Sequence, residues 1–244
     1  MKFRFKYYSA YILSLIIPKK KNHSFILMYH QITKDFDENI FSVSIQNFEL
    51  HIFKLKELFK LTDLYDLNIY DNSFAITFDD GYEDIYKLIY PVIKKLNIRI
   101  TIFLTYKNLN KKNYLKDFQI KEMLQSGLIE LGCHGNSHIS QKKLNDRELL
   151  YEIEIPKKKL ENLFNINISF LSFPNGIYDY KTIEFCKRCK FKKTFDSNLK
   201  TVTRDYINTS YTLPRICVYN IDNLSIILSK VYGKFNFLNI NPNE

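Results

Sequence analysis

The feature that most constrains this chain is a repeated order of residues, in which a short apolar run is followed at once by a polar cluster. Runs of this kind are typical of parallel strands buried on both faces. Four clusters end such runs: Tyr29-His30, Asp79-Asp80-Gly81, His134-Gly-Asn-Ser-His138 and Pro174-Asn175-Gly176. Since ligands of α/β folds gather where strands finish, the clusters are expected to meet at one rim of one sheet. Two carboxylates and three imidazoles there would suffice to hold a divalent metal and activate water, which indicates an enzyme.

Helical spacing of apolar residues alternates with these runs along the chain. It predicts helices over 44–61, 85–96, 118–126, 145–164, 181–190 and 223–230, and strands over 25–29, 74–78, 98–104, 129–133, 170–173 and 211–218. Pro91 predicts a bend and Pro156 a kink within two of the helices, and Asn145 with Glu148 predicts a capping box. Strands that alternate with helices favour parallel βα units, and a barrel is the economical closure.

The length of 244 residues fits one large α/β domain, and no repeat, low-complexity tract or Gly/Ser linker divides it. We therefore expect an N-terminal segment at 1–22 and one domain at 23–244. Hydrophobic residues make up 45% of the chain, which is enough for a substantial core and excludes wholesale disorder.

The formal net charge of +10 would suit a nucleic acid, an anionic membrane surface or an acidic polymer. The lysines are scattered, however, and the sequence has neither a basic stripe nor a nucleic-acid-binding motif, so no nucleic-acid partner is expected. The 4 cysteines are too few and too unevenly spaced for a disulfide framework. Cys186 and Cys189 form a lone C-x-x-C pair, which supports a zinc or redox site only weakly. Free thiols suit a reducing cytosol.

Residues 7–17 are an apolar stretch with basic residues on both sides. The stretch is long enough for the apolar part of a signal peptide but too short to span a membrane. Pro18 and three lysines stand where a secretory signal would have small residues for cleavage. We expect a short helix that lies on an anionic cytoplasmic membrane face, through residues 1–21, or packs on the domain. An uncleaved cytoplasmic protein is favoured, with a secreted or signal-anchored form left open.

The Asp79-Asp80-Gly81 turn and the pair His134 and His138 carry the chemistry. Adjacent aspartates diverge in an extended chain, so a tight Gly turn is needed for both to serve one site. One carboxylate would bind metal while the other stays free as a base. The alternative is that Asp80 or Asp84 only caps the helix that follows. Two neutral imidazoles four residues apart, together with a carboxylate, suit a zinc-like ion and leave positions open for water.

Thr77-Phe-Asp-Asp-Gly81 and His134-Gly-Asn-Ser-His138 resemble, in register, the first two motifs of the polysaccharide deacetylases, the NodB-homology carbohydrate esterases, and the similarity includes Phe173-Pro-Asn-Gly176. The similarity covers most of the chain, from Ile26 to Val218. It implies a distorted (β/α) TIM-like barrel with fewer than eight complete βα units, and the removal of N- or O-acetyl groups from sugars. It also implies a divalent metal, zinc before cobalt or nickel, and an acetylated glycan as substrate.

The resemblance also implies roles for individual residues. Asp80, His134 and His138 match the metal ligands. Asp79 matches the general base that takes a proton from water. Asn175 stands in the middle of the family's Pro-Tyr-Gly loop, where its backbone N–H would help to hold the oxyanion, although its side chain departs from the usual tyrosine.

Two departures from the family pattern concern the base and the acid. Many members carry an arginine where this chain has Ser172, and a late histidine that is absent here, because no histidine follows His138. In the exopolysaccharide (poly-N-acetylglucosamine) deacetylases the acid comes from an early Met-Tyr-His segment, which Met28-Tyr29-His30 matches. His30 is therefore the predicted general acid, with a structural histidine as the alternative. Arg215 is the predicted replacement for the missing arginine, with a plain surface ion pair as the alternative.

The leading hypothesis is a metal-dependent hydrolase that deacetylates N-acetylated sugars of a polysaccharide or glycan precursor. The alternative is a catalytically silent glycan-binding or membrane-surface scaffold of a glycan-assembly complex. The displaced arginine and the basic N-terminus favour the scaffold. The retention of Asp79, which binding alone does not need, favours the hydrolase.

Overall fold

The structure is a computed structural model, and it describes residues 2–68 and 70–238. Strands β1–β11 are Phe25–Tyr29, Gln31–Thr33, Ser42–Ser44, Lys60–Leu61, Ser73–Phe78, Ile100–Leu104, Ile129–Cys133, Phe170–Ser172, Lys193–Phe195, Thr212–Leu213 and Ile216–Cys217. Strands β2 and β3 form a small sheet, and the other nine form the main sheet. Each pairing between these strands is parallel, as the buried apolar runs predicted.

Helices α1–α9 are Lys2–Ser14, Ile45–Leu58, Tyr90–Leu96, Asp117–Gln125, Asp146–Leu149, Ile155–Phe164, Tyr180–Arg188, Arg204–Thr209 and Leu224–Val231. π-helical turns lead into α3 and α6, directly before Pro91 and Pro156. Proline lacks an N–H and its ring crowds the carbonyl four residues earlier, so a locally wider turn relieves both conflicts. The irregularities predicted at the two prolines take this form, and the capping box of Asn145 and Glu148 is confirmed.

The main sheet curls into a distorted, incomplete TIM-like barrel, which confirms the predicted fold class. Its strands run in the order β10-β9-β8-β7-β6-β5-β1-β11, with β4 beside β5. The two edge strands β10 and β11 are separated in sequence only by Pro214 and Arg215. The chain itself therefore crosses the gap between the edges of the sheet. The prediction of a single strand over 211–218 was wrong, because its two halves pair with β9 and β1 at opposite edges.

The other predicted elements are present, strands β1 and β7 with the predicted bounds and most of the others with shifted ends. The helix expected over 44–61 stops at Leu58, because Lys60 and Leu61 pair with Ser73 and Phe74 as strand β4. The strand expected over 98–104 begins at Ile100. Strand β9 and helix α8 lie in a stretch where no element was predicted.

The central strands β1, β5 and β6 are buried along their whole length. Aromatic rings stack between paired positions, Phe25 on Phe74 with 5.3 Å and Tyr29 on Phe78 with 5.4 Å between ring centroids. All 4 cysteines carry free thiols, so the C-x-x-C pair forms no disulfide.

Helix α1 packs on α9 at the side of the barrel. Tyr7 is fully buried, and its hydroxyl donates to the carboxylate of Asp222, which is paired with Lys230. The described part of segment 1–22 is thus packed on the domain along one face. Among the residues that the structure describes, no helix combines the length and the apolar character that crossing a membrane requires.

Candidate metal centre and active site

The four polar clusters follow β1, β5, β7 and β8, all in the main sheet. One cavity of about 240 Å³ is lined by residues from all four clusters and by the arginine between β10 and β11. These residues are His30, Asp79, Asp80, His134, His138, Asn175 and Arg215. The prediction that the clusters meet at one rim of the sheet is confirmed.

A tight turn directly after β5 brings both aspartates to the cavity. Asp80 has a left-handed backbone conformation with φ of +70°, and Gly81 follows at +77°. The backbone angle favours glycine at position 81, and a β-carbon there would lie 2.7 Å from Cδ2 of Leu104, so that side chain would have to shift. Asp84, and not Asp80, stands at the N-cap of the following helix, and it makes no side-chain capping bond.

Asp80, His134 and His138 form a group of possible metal donors. Oδ1 of Asp80 lies 3.2 Å from Nε2 of His138 and 3.6 Å from Nε2 of His134, and one donor atom from each residue lies within 4.8 Å of the others. Nδ1 of His134 is 2.8 Å from the carbonyl oxygen of Ser172, which fixes the proton on Nδ1 and leaves the Nε2 lone pair for a metal. Burial lowers the pKa of His134, which favours the neutral ligand form. This donor set fits a zinc-like ion.

The loop that carries the two histidines is held by Glu152, which sequence reasoning missed. The buried carboxylate of Glu152 accepts the backbone N–H groups of Asn136 at 3.3 Å and Ser137 at 3.0 Å, and the Ser137 hydroxyl at 2.6 Å. These bonds stabilise a loop in which His138 has a φ of +59°. One feature of the sequence could have indicated a buried role for Glu152: it lies three residues after Leu149, on the face of the helix that carries the buried apolar residues.

Asp79 is held by a buried arginine. Nη1 and Nη2 of Arg215 donate to Oδ1 and Oδ2 of Asp79, each at 2.7 Å. Burial acts to raise the pKa of Asp79, but the charge of Arg215 and the proximity of His134 outweigh it, so the pKa lies well below its usual range. Asp79 is therefore ionised at neutral pH. Arg215 is only 1% exposed, so the alternative of a plain surface ion pair was wrong.

His30 follows β1 and lines the same cavity, with its ring 4.8 Å from that of Phe41 between centroids. Burial lowers the pKa of His30, while the charges of Asp80 and Asp79 oppose this shift. Its Nδ1 is buried and has no hydrogen-bond partner within the described parts of the chain. An imidazole that lines the cavity beside two carboxylates is placed to transfer a proton.

Asn175 occupies the turn Pro174–Gly176 that follows β8, and it also lines the cavity. Its φ of +57° is left-handed, a conformation that asparagine tolerates better than most residues. A β-carbon at Gly176 would collide with Oγ of Ser197, so the turn packs too tightly for another residue there. The role of the Asn175 N–H as an oxyanion donor stays a prediction.

Comparison with known proteins agrees with this geometry. A family model described as polysaccharide deacetylase matches residues 68–194. YxkH of Bacillus subtilis (strain 168), itself named for this family, is 30% identical to the chain over 203 residues, which cover 79% of this chain and 70% of YxkH. The chain belongs to the polysaccharide deacetylase family. It is accordingly a hydrolase that acts on carbon–nitrogen bonds.

Two further similarities concern a relative and a solved structure. The poly-beta-1,6-N-acetyl-D-glucosamine N-deacetylase of Staphylococcus aureus (strain MSSA476) is 25% identical over 233 residues, which cover 82% of this chain and 80% of that enzyme. The structure of the Streptococcus pyogenes deacetylase PplD in complex with acetate superposes with a TM-score of 0.77, at 21% identity, over 87% of this chain and 99% of PplD. The second similarity supports the fold.

Ser172 stands where the family resemblance expected an arginine, and its hydroxyl joins the network around Asp79. It accepts from Nη2 of Arg215 at 2.6 Å and donates to Oδ2 of Asp79 at 3.1 Å. Arg215 also donates to Oγ1 of Thr77 at 3.2 Å and to the carbonyl of Asp196 at 3.2 Å. In this deacetylase the arginine thus reaches the aspartate from the β10–β11 crossing, and the small serine leaves room for it.

Proposed function

We propose that this polysaccharide deacetylase is metal-dependent and removes acetyl groups from N-acetylated sugars of a polysaccharide or glycan precursor. The observation that supports this most is the meeting, in one cavity, of three metal donors and a separate buried carboxylate. Asp80, His134 and His138 supply the donors, and Arg215 holds Asp79 apart as the carboxylate. A protein that only binds a glycan needs no such division, so the geometry favours the hydrolase over the silent scaffold.

Asp80, His134 and His138 would hold the divalent ion. When bound, such an ion polarises a carbonyl oxygen and lowers the pKa of water to about 7. Zinc is proposed before cobalt or nickel, because imidazole and carboxylate donors in a three-residue set suit it. The hydrogen bond from Nδ1 of His134 to the carbonyl of Ser172 orients the ring for this purpose.

The chain's own residues supply the proton transfers. Asp79, oriented by Arg215, accepts a proton from the attacking water, whose oxygen bonds to the acetyl carbon. The backbone N–H of Asn175 stabilises the developing oxyanion. When the C–N bond breaks, His30 donates a proton to the leaving nitrogen. The products are acetate and a free amine on the sugar.

The proposed substrates are glycans of N-acetylated hexosamines. The Staphylococcus aureus relative is named for poly-β-1,6-N-acetyl-D-glucosamine and aligns with 82% of this chain. Oligomers of that polymer are therefore the first substrates to test. A cytoplasmic location and the lack of a nucleic-acid partner stay predictions.

Acetate release tests this proposal. The protein is stripped of metal with a chelator and assayed on these oligomers, before and after addition of zinc, cobalt or nickel. We expect release only after metal addition, with acetylated xylan, which carries O-acetyl esters, as the poorer substrate. Equal release by stripped and reloaded protein would contradict the metal dependence. Faster release from xylan would contradict the assignment to N-acetyl groups.

A further inference from the structure

Helix α1 has apolar side chains on its outer face as well as on the face that it buries. Tyr7 and Ala10 pack inward, in one cluster with Tyr219 and Ile226. The outer face and the turn that follows it leave five large apolar residues exposed: Tyr8 44%, Ile12 67%, Leu13 49%, Leu15 57% and Ile16 81%. A single exposed apolar residue is ordinary, but five on one short segment form a patch of the kind found at interaction sites.

Only basic charges accompany this patch. Residues 1–22 contain Lys2, Arg4, Lys6, Lys19, Lys20 and Lys21 and no aspartate or glutamate. The three lysines that follow the helix are exposed. An apolar helix face next to exposed cations, without an acidic residue, complements a surface that is apolar below and anionic above.

We propose that the outer face of α1 docks on the interface of an anionic membrane. The exposed isoleucine and leucine side chains enter the boundary between headgroups and acyl chains, and the lysines at 19–21 contact lipid phosphates. At 13 residues, α1 is too short to span the bilayer, so it lies along the surface.

The docked helix is attached to the wall of the cavity. On its inner face, Tyr7 lies 5.7 Å from Tyr219 between ring centroids, and Tyr219 lines the cavity. The hydroxyl of Tyr7 donates to Asp222, so the attachment includes a buried polar bond as well as apolar contact. Tyr7 thus connects the docked helix directly to a residue of the cavity wall. If the proposed function holds, this favours acetylated glycans presented at a membrane surface.

Vesicle co-sedimentation of the full chain tests the docking. The vesicles are made either of phosphatidylcholine alone or of equal parts phosphatidylcholine and phosphatidylglycerol. We expect binding to the anionic vesicles that weakens as salt is added. The double variant Ile12→Asn with Ile16→Asn should bind at least about tenfold more weakly, because it removes the two most exposed apolar groups of the patch. Its control, Phe53→Asn with Phe118→Asn, changes two residues elsewhere that are 67% and 66% exposed, and it should bind as the wild type does.

A set of lysine variants tests the contribution of the basic residues next to the apolar patch. The triple variant Lys19→Gln, Lys20→Gln and Lys21→Gln should lose about fivefold in binding for each lysine. Its control, Lys111→Gln, Lys112→Gln and Lys121→Gln, changes the net charge equally and should bind as the wild type does. Thermal unfolding checks that each variant folds.

Three results would overturn the docking proposal: no binding of the wild type to anionic vesicles, wild-type binding by the patch variants, or a loss of binding in the controls as large as in the patch variants. Sedimentation velocity could give a fourth. If the wild type were a dimer and the Ile12→Asn and Ile16→Asn variant a monomer, the patch would be a contact between two copies of the chain. Vesicle binding is measured without substrate, so its failure would leave the proposed deacetylation untouched.

Discussion

Among the residues that the structure describes, two aspartates are buried against a cation, and one of these pairs lines the cavity that holds the metal donors. Asp79 is paired with Arg215 at the rim of the sheet. Asp222 is paired with Lys230 beneath helix α1. All four residues are 2% exposed or less, so burial alone does not distinguish the two pairs.

The difference lies in what surrounds each carboxylate. Asp222 is enclosed by donors, since it accepts the Tyr7 hydroxyl and the backbone N–H of Tyr219 at 2.8 Å, and Lys230 also donates to the carbonyl of Cys217 at 2.7 Å. Asp79, in contrast, lies 3.8 Å from Nε2 of His134 and lines the cavity with the metal donors. A buried ion pair therefore indicates a catalytic site only where polar atoms remain available to a ligand.

Removing a metal donor at the rim should have the largest effect. Asp80→Asn is expected to weaken zinc binding more than about 100-fold, because one of three ligands is lost, and to lower kcat/KM at least about 1,000-fold. Isothermal titration calorimetry and acetate release measure the two effects. Asp84→Asn, four residues on and outside the donor group, is the control and should bind zinc normally. Normal zinc binding by Asp80→Asn would contradict the proposed ligand set.

Breaking the enclosed pair should affect stability and spare catalysis. Asp222→Asn leaves Lys230 buried without its counter-charge, which should lower the free energy of unfolding by about 3–5 kcal/mol. Urea denaturation measures this loss, and acetate release per folded molecule should match the wild type. The double variant Asp222→Asn with Lys230→Met should lose less than the sum of the two single changes. A specific loss of kcat in the folded protein would show that the enclosed pair takes part in catalysis.

The pH dependence of the free energy of unfolding should report on His51, which contacts the backbone of Asp222. His51 is buried, its Nε2 donates to the backbone carbonyl of Asp222 at 3.1 Å, and its Nδ1 accepts from the Tyr29 hydroxyl at 3.4 Å. Burial lowers the pKa of His51 from 6.5 to about 4. Between these values the unfolded chain binds a proton on His51 that the folded chain does not. The free energy of unfolding therefore falls as pH drops from 6.5 to about 4, by about 3 kcal/mol from this group.

Urea denaturation at pH 7 and pH 4.5 measures this contribution when the wild type is compared with His51→Gln, which cannot titrate. The wild type should lose about 2–3 kcal/mol more than the variant between the two pH values. Equal losses would contradict a neutral His51 in the folded protein.

The smallest expected effect concerns the residue that links base, arginine and metal ligand. Ser172→Ala removes a hydroxyl that bonds Arg215 and Asp79, which should lower kcat about tenfold while zinc affinity stays unchanged. Ser169→Ala, at a buried serine just before the same strand, is the control. An unchanged kcat in Ser172→Ala, measured by acetate release, would show that Arg215 positions Asp79 without help.

Much of the rim was predictable because its residues lie close together in sequence and follow apolar runs. The Asp79-Asp80-Gly81 turn and the His134 to His138 loop each follow a strand, and the parallel sheet brings those strand ends together. The capping box at Asn145 was predictable for the same reason, since its two partners are three residues apart.

The remaining contacts were not predictable from local pattern, because they join distant parts of the chain. Arg215 meets Asp79 across 136 positions, and this requires the chain to pass from one edge of the sheet to the other between β10 and β11. Tyr7 meets Asp222 across 215 positions. No periodic pattern in the sequence indicates the division of residues 211–218 into β10 and β11, or the pairing of Asp222 with Lys230. Arg215 was identified through the family resemblance instead.

The proposed mechanism divides two roles between adjacent aspartates, with Asp80 as metal ligand and Asp79 as base, and Asp79→Asn tests this division directly. Bound zinc and acetate release are measured on the same purified protein, with the folded fraction checked by denaturation. We expect zinc content equal to the wild type and a fall in kcat of at least about 100-fold, since a general base contributes about 100- to 10,000-fold. Loss of zinc would make Asp79 a ligand, and retained turnover would remove it from the mechanism; either result would contradict the role of Asp79 as the base.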